Sequence, residues 1–340
     1  MRISAGKLNL LGAAFVLSLA ASCSGSSQPS ATSAGSSPAA AASATQAVQQ
    51  APQVKPTESA PPADQTGGFD GEKAYEQVVK ILSFGPRPPD TPGIHQVQDY
   101  LISQLKGYGC EVDTDDFHAS TPVGSVAMKN IVAKAPGTGQ GIILLLTHYD
   151  TLSSVKNFVG AEDSASSTGL MLEMARLLCA KKGPNSVWFA FLDGEESFVD
   201  WNKDNDHTYG SRELAARMAV SGELKRVKAV ILADMIGQYH LHIARESDST
   251  KWLVDLVWKT ADRLGYKDVF IPVEAQTSDD HDPFLERKVP AVDVIDLTDY
   301  ITAGAWHTDK DTLDQISPRS IAVVGHVILE SVDELQKKFH

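Results

Sequence analysis

Two glutamates, Glu195 and Glu196, stand side by side just beyond the apolar run SVWFAFLD (186–193). Side chains alternate along a strand and its exit turn, so neighbours aim in different directions and can do different work. Other acids and imidazoles occupy comparable places. His148-Tyr149-Asp150 follows GIILLLT (141–147), and Asp234 falls near the end of KAVILADM (228–235). A loop after KVPAVDVIDL (288–297) reaches Trp306-His307, and the loop VGAEDSASS carries Asp163. Asp, Glu and His converging without paired cysteines form the donor set of a zinc ion held by nitrogen and oxygen. Without a cation, so many carboxylates would repel one another and raise each other's pKa. Singly, most have a plainer reading: Asp163 as a helix N-cap, Glu195-Glu196 as a solvated turn, His307 as a surface or core histidine. Asp234 resists that treatment, because an acid inside a buried strand needs a partner or a metal.

The elements that must position these residues are legible in the hydrophobic pattern. The four runs named above are near-continuous rather than alternating, as strands covered on both faces read. Between the first two, Leu170, Met171, Met174, Leu177 and Leu178 recur at helical spacing. Another helix is expected at roughly 93–106, stopped by Gly107. A last one begins with Ser317 as N-cap and Pro318 in the first turn. Strand and helix in alternation predict an α/β fold: one doubly wound, mainly parallel central sheet with helices on both faces. Ligands in such sheets bind beyond the carboxyl ends of the strands, which is where the acids and histidines fall.

Not all of the 340 residues belong to that fold. Residues 1–22 read as a signal peptide, with Arg2 and Lys7 ahead of the apolar run LNLLGAAFVLSLAAS. Small residues just before Cys23 resemble a bacterial lipobox, so Cys23 is expected to be lipidated and to anchor an exported protein to a bacterial membrane, on its periplasmic or extracellular face. Residues 23–68 are rich in Ser, Ala and Pro and are expected to form a disordered tether. Residues 69–340 then form a single catalytic domain. The formal charge of −13 becomes −15 once Arg2 and Lys7 leave with the signal, and no basic cluster offsets it, so nucleic acid is excluded as a partner. Cys110 and Cys179 could pair in an oxidising compartment, but read more simply as two unrelated small core residues.

The stretches FGPRPPDTPG (84–93), THYDT (147–151), VGAEDSASS (159–167), FLDGEESFVDW (191–201), YGSREL (209–214), DMIG (234–237), DDHDPFL (279–285) and WHTDKDTLD (306–314) carry a resemblance. From about Phe69 onward the chain resembles the animal-type, zinc-dependent glutaminyl-peptide cyclotransferases, relatives of the co-catalytic zinc aminopeptidases. The resemblance implies a zinc ion on Asp163, Glu196 and His307, with Glu195 as acid/base. It places Asp234 and Asp279 in an acidic network around Glu195. Trp201, Trp306 and His281 would line the pocket for the N-terminal glutamine of a peptide. The aminopeptidase alternative uses nearly the same atoms: His148 and Asp234 would hold a second zinc, Asp163 would bridge, and Asp150 would orient His148 from behind. Three features favour the cyclotransferase: the 13 residues between Glu196 and Gly210, the paired Asp279-Asp280 before His281, and Trp306 before His307. A catalytically dead peptide-binding lipoprotein would have lost Glu195 or a ligand, and none is lost. Thr302 stands where the family often has Phe, Thr147 where secreted animal members have a disulfide cysteine, and Asp282 where an apolar residue is usual.

Overall fold

The computed structural model describes residues 58–203, 205–298, 301 and 304–340. The signal segment, Cys23 and most of the expected tether lie outside the described residues, as do Tyr300 and Thr302. The boundary expected at Phe69 comes too late. Residues 58–68 already pack on the domain: Ser317 Oγ donates to Glu58 Oε2 at 3.0 Å, and the buried Thr66 hydroxyl donates to Phe69 O at 2.6 Å. The Phe69 ring lies where a side chain on Gly325 would sit, within 2.4 Å of an added Cβ. Sparse, polar composition hid this strap because it has no bulky apolar side chain and no periodic face.

Six strands form the central sheet: β1 (Glu111–Thr121), β2 (Gly124–Ala135), β3 (Ile142–His148), β4 (Ser186–Leu192), β5 (Val227–Asp234) and β8 (Ala291–Ile295). Their order is β1-β2-β4-β3-β5-β8. The strands read from the apolar runs, β4, β3, β5 and β8, are parallel; β1 and β2 form an antiparallel hairpin attached to the β4 edge. β6 (Ile243–Glu246) and β7 (Phe270–Ala275) pair separately.

Period-two alternation splits the sheet between two cores. Ile143 and Leu145 of β3 and Phe189 and Phe191 of β4 face a large core with α1 (Gly71–Leu82), α2 (Pro92–Gly107), α3 (Ser167–Cys179), α5 (Lys251–Leu264) and α7 (Pro318–Lys338). Ile142, Leu144 and Leu146 with Trp188 and Ala190 face α4 (Tyr209–Ser221) and α6 (Asp282–Leu285). Helix starts follow their caps: Thr91 accepts from Ile94 N, and Ser317 accepts from Ser320 N, with Pro in the first turn of α2 and of α7.

Cys110 and Cys179 are not independent core residues. They form a disulfide, with Cα atoms 5.1 Å apart, joining the chain beyond α2 to the end of α3. Their sequence separation of 69 says nothing of this proximity, which only the packing of α2 against α3 creates.

Candidate metal centre and active site

The carboxyl ends of the parallel strands gather the acids. His148 closes β3, Asp234 closes β5, and Gly194-Glu195-Glu196 turn away from β4. Asp163 comes from the turn Ala161–Ser166 ahead of α3, joined to Ser164 by a cis peptide bond, and is not a helix N-cap. Its two oxygens face different imidazoles: Oδ1 lies 3.1 Å from His148 Nε2, and Oδ2 lies 3.4 Å from His307 Nε2. Two donor clusters follow, His148–Asp163–Asp234 and Asp163–Glu196–His307, each with ligand atoms within 4.8 Å of one another. His148 Nε2 also lies 3.2 Å from Asp234 Oδ1, and His307 Nε2 3.4 Å from Glu196 Oε2.

Asp150 organises the turn after β4. Its Oδ1 accepts the Glu195 N–H at 3.1 Å and lies 3.3 Å from His148 Nδ1, while Oδ2 accepts the Glu196 N–H at 3.3 Å. One buried carboxylate thus fixes an imidazole and the backbone of both glutamates. Glu195 then points toward the cavity, its Oε2 3.8 Å from His148 Nδ1, and Glu196 toward His307. The alternation expected across the exit turn is what separates the two.

The electrostatics call for a cation. Burial, then repulsion from Asp163, pushes the Glu196 carboxyl well above its ordinary range, and neither of its oxygens has a hydrogen-bond donor among the described residues. Burial also raises Glu195, with Glu196, Asp279 and Asp280 adding repulsion that His148 only partly offsets. Burial alone would raise Asp163 too, but hydrogen bonds from His148 and His307 overrule it and hold that carboxyl below its usual value. Zinc, which takes imidazole nitrogen and carboxylate oxygen in tetrahedral sites, fits this donor set and satisfies the orphaned Glu196.

A cavity of about 480 Å³ opens over the cluster. Its walls include Glu195, Asp234, Asp279, Trp201 and Trp306, with Ile295 and Leu297 adding apolar surface. Trp306 stacks on the His307 ring, centroids 4.1 Å apart, and remains 39% exposed. Asp279 Oδ1 accepts the Asp280 N–H, and its carboxyl meets that of Asp293. His281 does not belong to the pocket. It is fully buried, with Nε2 3.3 Å from Glu246 Oε2 and Nδ1 3.8 Å from Asp293 Oδ2. The next residue opens α6, so His281 sits at the N-cap of a helix whose Pro283 and Phe284 are buried, outside the cavity lining. Asp282 keeps its charge toward solvent and accepts from Ser278 Oγ at 2.6 Å.

Four supports of the site carried no role in the sequence reading, although all lie in stretches that resemble the family. Arg87 is fully buried, its guanidinium donating to the carbonyls of Tyr149, Val159 and Gly160; burial lowers it to about 10 against the pull of Asp311 and Asp150. Gly160 adopts a positive φ, and a Cβ there would lie 2.0 Å from Asp163 O. Asp311 accepts the N–H groups of Glu162 and Asp163 at 2.7 and 3.1 Å, and Glu162 accepts those of Gly237 and Gln238. A buried Arg or Glu in a polar loop has no periodic signature, so only its partners reveal it.

The match to known proteins follows the same residues. Residues 130–332 match the family described as peptidase family M28. A glutaminyl-peptide cyclotransferase-like protein of Bos taurus is 30% identical over 296 residues, spanning 77% of this chain and 75% of that protein. The crystal structure of a glutaminyl cyclase from an Acidobacteriales bacterium is 36% identical with a TM-score of 0.75, covering 85% of this chain and 99% of its own. A Zn-dependent exopeptidase from Parabacteroides distasonis is 27% identical with a TM-score of 0.70, over 77% of this chain and 97% of its own. Ligand cluster, sheet and sequence therefore agree that the chain belongs to peptidase family M28 and, within it, to the glutaminyl-peptide cyclotransferases.

Proposed function

We propose that this enzyme converts the N-terminal glutamine of peptides to pyroglutamate with release of ammonia. The observation that carries the reading is the Glu195 carboxylate, which lines a cavity walled by Trp201 and Trp306 over the donor cluster. The zinc ion would be held by Asp163, Glu196 and His307 and would polarise the γ-amide carbonyl. The tryptophans hold the glutamine side chain and exclude water. The α-amino nitrogen attacks the γ-carbonyl carbon, forming the ring bond, and the bond from that carbon to the amide nitrogen breaks. Glu195 takes a proton from the attacking amine and delivers it to the departing nitrogen, which leaves as ammonia. Asp234 and Asp279 line the same wall and surround Glu195 with the acidic network that supports this transfer.

The aminopeptidase reading rests on the second cluster, His148–Asp163–Asp234, whose atoms converge closely enough for another ion. There Asp234 and one oxygen of Asp163 lie 3.2 and 3.1 Å from His148 Nε2, whereas His307 Nε2 comes no nearer than 3.4 Å to Glu196, whose oxygens accept no hydrogen bond among the described residues. That difference favours one ion, seated at Asp163–Glu196–His307. Incubating the zinc-loaded protein with a glutaminyl and a leucyl peptide, followed by mass spectrometry, tests both. Loss of one ammonia from the first alone, faster than spontaneous cyclisation, is expected; removal of the leucine would establish the aminopeptidase.

For localisation, an exported protein anchored through lipidated Cys23 is the reading we favour. The Cys110–Cys179 disulfide supports an oxidising compartment. No helix among the described residues is long and apolar enough to cross a membrane. Cys23→Ser is expected to release the protein from the membrane fraction, and unchanged fractionation would refute the anchor.

A further inference from the structure

The segment between Glu196 and Gly210 runs beside the cavity, and one side chain organises it. Asp206 is buried, and its carboxylate accepts from four donors. Oδ1 takes the Phe198 N–H at 3.2 Å and the Tyr209 hydroxyl at 2.7 Å; Oδ2 takes the Val199 N–H at 2.7 Å and the Asp200 N–H at 3.1 Å. Three consecutive backbone N–H groups thus converge on one anion, and the residue that follows them is Trp201. The far side of Trp201 is held by the neighbour of the same aspartate: its indole stacks on His207, centroids 4.2 Å apart and planes 12° from parallel. Arg212 of α4 pins that end by donating to Asn205 O at 2.9 Å and His207 O at 2.8 Å.

We propose that Asp206 is the positioning residue that holds Trp201 in the cavity wall and so sets the fit of the substrate side chain. The proposal rests on the cyclotransferase reading only for the identity of that side chain. With alanine at 206, three backbone N–H groups and a phenol lose their acceptor, and the loop gains by opening toward water. Trp201 then leaves its seat. Glu195 does not follow, because Asp150, outside the segment, holds its N–H at 3.1 Å, and the Thr208 N–H on its carbonyl at 2.8 Å adjoins the start of α4. Loss of Asp206 therefore separates binding from chemistry.

The test is a cycle of Asp206→Ala, Trp201→Ala and the double variant, in zinc-loaded protein, with kcat and KM for a glutaminyl peptide and hydrogen exchange across 197–209. Each single change is expected to raise KM about tenfold with kcat within about twofold, the scale of a lost apolar wall in a binding pocket. The double variant is expected to be no worse than either single, because both remove the same wall. Exchange at 198–200 should quicken in Asp206→Ala alone of the two singles. Asp206→Asn, which keeps one acceptor oxygen, is expected to give intermediate KM and exchange, and decides the matter if the alanine variant does not fold. Unchanged KM with unchanged exchange in either Asp206 variant overturns the proposal, as does a double variant whose KM is the product of the two singles. A wild type that fails to cyclise the peptide removes the functional reading instead, and leaves the exchange data to judge Asp206.

Discussion

Asp150→Asn is the sharpest perturbation of the metal centre, because it keeps shape and volume while disturbing three contacts. In the wild type one oxygen serves the Glu195 N–H and His148 Nδ1, and the other serves the Glu196 N–H. The carboxamide keeps one acceptor and turns an NH2 group toward the remaining donor. One buried N–H is then left without an acceptor, at a cost of about 1–3 kcal/mol. The turn that pays this cost carries Glu196, the proposed zinc ligand, so the expected outcome is a zinc dissociation constant about 10–100-fold weaker, or about 1.4–2.8 kcal/mol. Turnover at saturating zinc should also fall, since Glu195 shares the turn. Competition against a chromogenic chelator measures the affinity, and a melt of metal-free protein measures the fold. Zinc affinity within twofold of wild type, with a lowered metal-free melting temperature, would refute the reasoning and leave Asp150 a support of the fold alone.

Glu195→Gln should retain zinc by elemental analysis and lose about 100-fold or more in turnover, the usual scale for a missing acid/base group; equal activity would remove that role. Replacing Cys110 and Cys179 by serine should cost about 4 kcal/mol in denaturant unfolding, given a closed loop of sequence separation 69, and a loss below about 1 kcal/mol would contradict it. Glu246 offers a pH test. Burial would raise it, but the His281 hydrogen bond and backbone donors hold it down at about 2 against an ordinary 4.5. A depressed carboxylate contributes fully above its ordinary range and loses that contribution as pH falls toward 2. Wild type should therefore exceed Glu246→Gln in unfolding midpoint at about pH 6, with the gap closing as the acid limit is approached; a gap independent of pH would show that the depressed Glu246 carboxylate is not its source.

The parallel strands were readable because burial on both faces leaves near-continuous apolar runs, and their ends therefore named His148, Glu195, Glu196 and Asp234. The hairpin β1–β2 was not, since β1 reads Glu111-Val112-Asp113-Thr114-Asp115-Asp116 and presents mostly polar side chains to solvent. Motif position alone assigned His281 to the pocket; the packing of α6 decides otherwise, and no local pattern encodes it. The disulfide and the supports Arg87, Glu162 and Asp311 share one reason for escaping notice. Their meaning lies entirely in partners distant along the chain, whereas the apolar period is a local property.

The donor set has a consequence for the order in which the molecule is made. His148, Asp163, Glu196, Asp234 and His307 come from different strand ends and loops, and the last of them follows every strand of the sheet. A slip of one residue in β3 would carry His148 to the opposite face of the sheet. The full donor set is not assembled until β3, β4 and β5 are aligned and the final loop has closed. A cation at this seat would therefore complete its shell late, and its occupancy would report that these strand ends and the final loop had come together.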